Sequence, residues 1–276
     1  MAIKDMLLPL INEGSRCTID AVEKSVLMAA RLNARITAFG LETEQDALSP
    51  AIADALGAAR IVRTAPSVRA LLAAFQGAAK RCGARCEHRL ERSSIAGMIE
   101  VVADEARVRD LSIVPIKSND SFSEKFVERL LFETGRPVLM CPEAAADGLS
   151  ATFDDIAVAW DHTAPAARAV GDALPLLKKA TRVRIVTATD SAIDTQSGSG
   201  KALQEHLAEH GVKAQLDSIR IDGSSVGKVF ASYVDKNGID LLAMGGYRHS
   251  PVNEWFWGGM TNTIINDPPC WVMLSH

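Results

Sequence analysis

An excess of basic charge is the first thing this 276-residue sequence lacks: 30 Lys and Arg stand against 34 Asp and Glu, for a net charge of -4. Neither half conceals a basic module, because residues up to 147 carry 19 basic and 20 acidic side chains and the remainder 11 and 14. Gripping a phosphate backbone needs a basic face, so no nucleic acid is expected as a main partner. Long apolar runs are missing too. The longest are strand-sized, far short of the ~20 residues that span a bilayer, and no membrane role is expected. The opening Met-Ala-Ile-Lys-Asp-Met-Leu-Leu-Pro-Leu-Ile sets Asp5 and Pro9 around a short apolar run and makes a poor signal peptide. Five cysteines (Cys17, Cys82, Cys86, Cys141, Cys270) form no Cys-x-x-Cys pair, and such sparse use fits reduced thiols in a cytoplasmic protein. With 47% hydrophobic and 23% charged residues, disordered and collagen-like classes are excluded and sizeable cores are expected.

What is present is alternation. Strand-sized apolar runs at 6–10, 35–41, 84–90, 111–116 and 137–141 are separated by helical patterns at 18–33, about 51–81, 95–107 and 126–133. The order then recurs, with strands at 155–160, 182–189, 212–221, 240–244 and 270–274 and helices at 165–180, 201–209, 225–236 and 261–266. Repeated βα units predict α/β modules with mainly parallel open sheets flanked by helices. Two copies of five strands each read as an internal duplication, with domains at 1–143 and 154–276 and a linker rich in Ala, Gly and Ser around 143–152. Ser224 or Ser225 is a natural cap for the helix that follows, and Asn237-Gly238 ends it with residues that tolerate positive φ.

Ligands of open parallel sheets collect beyond the carboxyl ends of the strands, where loops meet helix N-termini. Two such places stand out in the second half. Its first strand ends Val158-Ala-Trp-Asp161-His-Thr, and its fourth ends Met244-Gly-Gly-Tyr-Arg-His-Ser250, which runs on to Gly258-Gly259-Met260-Thr261 at the last helix. Glycines let backbone N–H groups approach a phosphate, a threonine hydroxyl adds a donor, and a carboxylate accepts from ribose hydroxyls. On chemistry alone a plainer reading is favoured, in which the glycines turn the chain and Asp161 caps a helix.

This stretch resembles the phosphate loop of the universal stress protein family, Gly-x2-Gly-x9-Gly-Ser/Thr after the fourth strand, with an acid ending the first. Gly245, Gly258, Thr261 and Asp161 match, whereas Arg248 stands in place of the second glycine and Gly259 in place of the small hydroxyl residue. The resemblance covers both halves as tandem modules. It implies a cytoplasmic stress-response protein that binds ATP or another adenine nucleotide in its second module only, with at most slow hydrolysis. Asp161 would hold the nucleoside; Gly245, Gly258, Gly259 and Thr261 would cradle phosphate; Arg248 and His249 would supply charge. It also implies an intrachain pseudo-dimer paired through the last strand of each half, with a homodimer and an unidentified protein partner as further associations. In the first half the fourth strand runs into Pro115-Ile-Lys-Ser-Asn-Asp-Ser-Phe and the first ends Leu10-Ile-Asn12-Glu13, without the glycines or the aspartate. That module reads as degenerate. The rival functions are a protein–protein signalling module that has lost nucleotide, or an enzyme of the related nucleotide-binding α/β group.

Other motifs are weaker. Ser197-Gly-Ser-Gly200-Lys201 resembles the end of a P-loop but has Thr195 and Ala202 where the motif needs Gly and Ser/Thr, and is read as a flexible loop. His206 and His210 have metal-ligand spacing without a third ligand, and are read as a solvated face. No Gly-x-Ser-x-Gly elbow or nucleophile–base pair emerges, so no catalytic residue is assigned. The consecutive aromatics Trp255, Phe256 and Trp257 would diverge by about 100° each on a helix and could not share one core.

Overall fold

A computed structural model describes residues 2–11, 18–43, 66–94, 97–142, 153–189, 197–246, 248–249, 256–257 and 259–276. In the first half β1 (Asp5–Ile11), α1 (Ile19–Leu32), β2 (Arg35–Thr43), α2 (Val68–Cys82), β3 (Cys86–Ser93), α3 (Met98–Arg107), β4 (Leu111–Ile116), α4 (Ser121–Thr134) and β5 (Val138–Pro142) follow one another. The second half repeats the order as β6 (Asp155–Ala159), α5 (Ala164–Leu177), β7 (Arg182–Thr189), α6 (Ser197–Glu209), β8 (Ala214–Arg220), α7 (Val226–Asn237) and β9 (Leu241–Gly245). A two-residue ribbon of β10 (Arg248–His249) and β11 (Phe256–Trp257) then precedes α8 (Gly259–Asn266) and β12 (Trp271–Ser275).

All strands but the ribbon form one ten-stranded sheet in the order β3-β2-β1-β4-β5-β12-β9-β6-β7-β8. Every neighbouring pair is parallel except the central one, where β5 and β12 run antiparallel with Val272 opposite Met140. The two last strands thus cover each other's edges, which otherwise would present unpaired backbone groups. Central strands are buried on both faces. Along β1, Met6, Leu8 and Leu10 face a layer with Val26 of α1 and Phe75 of α2, while Leu7 and Ile11 face a layer with Val102 of α3 and Val127 of α4. This two-sided burial is why the strands read as continuous apolar runs rather than alternating ones. Each large side chain fully buried, such as Phe39 or Trp271, contributes roughly 1.5–3 kcal/mol.

The duplication extends to polar details at the amino ends of the strands. The Asp110 carboxylate accepts from the amides of Lys4 and Asp5 at 2.8 and 3.0 Å, and Asp240 accepts from Asp154 and Asp155 at 3.0 and 2.9 Å. Asp5 is paired with Arg35 and Arg109, and Asp155 with Arg182 and Arg184. Burial works to raise the Asp5 carboxyl, but hydrogen bonding from Arg35 and the charges of Arg109 and Arg35 outweigh it and hold the group below its ordinary value.

The helices start where capping chemistry allows. Thr18, Ser67, Asp120, Thr163 and Ser225 each accept from an amide three residues on, and Asn33, Gly83, Gly135 and Gly238 end helices in the left-handed region. Two helices begin a full turn or more before the residue that periodicity indicates. α4 starts at Ser121 rather than 126, because Asp120 accepts from the Ser123 amide at 3.0 Å and fixes a polar first turn. α6 starts at Ser197, so the glycine- and serine-rich stretch expected as a loop is helix. Gly200 is buried there, and a Cβ on it would lie 3.4 Å from Leu216, so a small residue seats the helix on the sheet. Phe256 and Trp257 are strand rather than helix. Cys17, Trp255, residues 51–65 and the 143–152 linker lie outside the described residues.

Candidate functional site

β6 and β9 are adjacent and parallel, yet the chain leaves them in opposite directions. From β6 it crosses to β7 on one side, and from β9 it crosses to β12 on the other. A crevice opens at the carboxyl ends of such a strand pair, because the following helices diverge. Here it is a cleft of about 470 Å³, lined by Ala159 at the end of β6 and Asp161 after it, Met244 and Gly245 of β9, Phe230 of α7 and Thr261 of α8. Asp161 and Gly245, assigned from sequence to one site, do meet in this cleft, with Gly259 and Thr261 across from them.

Asp161 is exposed. Its Oδ1 accepts from the Thr163 amide at 3.2 Å and the Thr163 hydroxyl at 2.5 Å, and the Thr163 hydroxyl in turn accepts from the Ala166 amide at 3.4 Å. Thr163, not Asp161, is therefore the cap of α5, and Asp161 orients it. Between them His162 takes a left-handed φ of 64° and its ring lies 5.8 Å from that of Trp160. Gly245 is required by packing, since a Cβ there would sit 2.7 Å from the Ala166 nitrogen. Thr261 is buried on the first turn of α8, whereas Gly259 is exposed and has no atom within 4 Å of a Cβ position. Arg248 and His249 are described only as backbone, paired in register with Trp257 and Phe256, and Gly258 lies outside the described residues.

Among the described lining residues Asp161 is the one charged side chain; Thr163 and Thr261 add hydroxyls, and most of the rest of the wall is apolar. Ile221, Val226, Phe230 and Met260 form much of it. Sequence reading assigned none of these to the site; for Val226 and Phe230 the reason is that a helix face turned to a cleft has the same period as one turned to a core. Among the described residues no cluster of three or more His, Cys, Asp or Glu is placed to hold a metal ion. His206 on the exposed side of α6 and His210 just past its end meet edge to face at 4.9 Å between ring centroids, and neither is among the described residues lining the cleft.

The equivalent place in the first half is filled. In register, Met6 pairs with Leu111 as Ile156 pairs with Leu241, so Ile11 takes the place of Asp161 and Pro115 that of Gly245. Phe122 and Phe126 stack at 5.8 Å between centroids, and the space they leave with Ile11 and Pro115 is about 20 Å³.

Residues 152–276 match the universal stress protein family. The second half of this chain is a universal stress protein domain. Among solved structures, a universal stress protein from Archaeoglobus fulgidus DSM 4304 superposes with a TM-score of 0.71 at 14% identity, over 98% of this chain and 97% of that one. A functionally unknown protein from Pseudomonas aeruginosa PAO1 gives 0.61 at 12%, over 99% and 92%. The cytoplasmic domain of a prokaryotic cation chloride cotransporter gives 0.54 at 10%, over 99% and 95%. These likenesses show that the tandem universal stress protein fold spans both halves. No curated protein matches the sequence. Within that fold the second module has an open cleft where the first is filled.

Proposed function

We propose that this chain is a stress-response protein of the cytoplasm whose second module, 154–276, binds an adenine nucleotide in the cleft between β6 and β9, without rapid turnover. The observation that carries the reading is the contrast of about 470 Å³ in the second module against about 20 Å³ in the first, 1–143. An apolar slot beside a single carboxylate suits a nucleoside: the base fills the slot, and the free oxygen of Asp161 accepts from a ribose hydroxyl. Phosphates would extend toward the first turn of α8, where Gly259 leaves backbone approachable and the helix dipole favours an anion. Arg248 and His249 would add positive charge from the ribbon.

The test is calorimetric titration of ATP, ADP and AMP into the wild type and the Arg248→Gly variant. Tighter ATP binding by the variant would identify Arg248 as an obstruction, and weaker binding as a phosphate clamp. No binding by either protein overturns the nucleotide reading in favour of a signalling module recognised by a protein partner.

A further inference from the structure

The Lys117–Asp120 turn follows β4, the counterpart of β9 in the second module, and its hydrogen bonds cross to that second module. Ser118 donates its hydroxyl to Asp267 Oδ1 at 2.8 Å, and the Asn119 amide donates to the Asn266 carbonyl at 2.7 Å. Asn119 is in the left-handed region at φ 58°, while Asp120 caps α4. Asn266 ends α8 and Asp267 follows it, so the partners of this turn are the carboxyl-terminal end of a helix whose other end lines the cleft.

The last carbonyls of a helix have no partner within it, and α8 is only eight residues long. A helix so short is marginal alone and depends on what holds its ends. A second cross-module contact lies at the entry to the loop. Gly246 packs on Leu131 of α4 so closely that a Cβ would sit 2.4 Å from Leu131 Cδ2.

We propose that the first module, its own ligand site filled, braces the second, with Ser118 and Asn119 as positioning residues that hold α8 and thereby set affinity in the cleft. The affinity part rests on the nucleotide reading; the brace itself does not. Hydrogen–deuterium exchange of residues 259–267 in the nucleotide-free full chain reads the brace directly, alongside ADP affinity by calorimetry. Ser118→Ala and Asp267→Ala are each expected to speed exchange in that segment and to weaken ADP binding about 2- to 10-fold, the range of one lost hydrogen bond. The double variant should be no worse than either single one. Ser118→Thr, which keeps the hydroxyl, should restore both, and exchange in β1 should not change.

Unchanged exchange in 259–267 for both alanine variants overturns the brace, whether or not ADP binds. Faster exchange with ADP affinity unchanged overturns its role in ligand binding. Faster exchange in a protein that binds no nucleotide supports the brace and overturns the nucleotide reading instead.

Discussion

Gly245 and Ala166 stand in backbone contact: a Cβ on Gly245 would lie 2.7 Å from the Ala166 nitrogen and 2.7 Å from the carbonyl carbon of Pro165. The end of β9 and the first turn of α5 are thus held together by the absence of a side chain. Backbone atoms cannot swing aside as a flexible side chain can. Gly245→Ala is expected to cost about 1–3 kcal/mol by overpacking, read as a lower urea midpoint. Gly259→Ala, which meets nothing within 4 Å, should be neutral or stabilise by up to about 1 kcal/mol. Equal loss in both variants would refute this packing role of Gly245.

Asp161 carries a structural and a proposed binding role on different oxygens. Asp161→Asn can keep the bonds to Thr163 through its Oδ1 while replacing the free acceptor by a donor. Thermal stability should change little and nucleoside affinity should fall. Asp161→Ala should lose both, with a stability loss of about 0.5–1.5 kcal/mol, the range for a lost hydrogen bond. Unchanged affinity in the asparagine variant would remove Asp161 from the binding site.

Thiol reactivity should divide by layer. Cys82 and Cys86 are exposed, whereas Cys141 and Cys270 are buried, and burial pushes the Cys270 thiol far up, away from the reactive thiolate. Iodoacetamide in native buffer is expected to label Cys82 and Cys86, with Cys141 and Cys270 reacting only in denaturant. Mass spectrometry of the digested protein checks this, and native labelling of Cys270 would contradict it.

Asp5 gives a pH dependence of known sign. Its folded-state carboxyl is held below the ordinary value of 3.8 by Arg35 and Arg109 against the opposing effect of burial. A depressed carboxylate stabilises the fold above its unfolded value, and that contribution is lost as pH falls through the folded one. Stability should therefore drop below about pH 4, and the drop should be shallower in Asp5→Asn. Urea midpoints between pH 2.5 and 7 measure it, and parallel profiles for the two proteins would refute the assignment.

Much of this molecule was determined by the sequence alone. Strands buried on both faces must be continuously apolar, so the β–α order and the duplication are visible in the chain, and with them the strand ends that carry Asp161 and Gly245. The local capping of Ser225 and Gly238 was equally readable, because its partners lie within a few residues. Tertiary structure alone decided the rest. Phe230 and Val226 line the cleft as well as packing in the core because the helices flanking β6 and β9 diverge. Ser197–Gly200 is helix, with Gly200 buried against Leu216 of β8. Asn119 reaches Asn266 because the antiparallel pairing of β5 with β12 brings opposite halves of the chain together. Each depends on a partner more than a dozen residues away, and no periodicity in a single segment records such a partner.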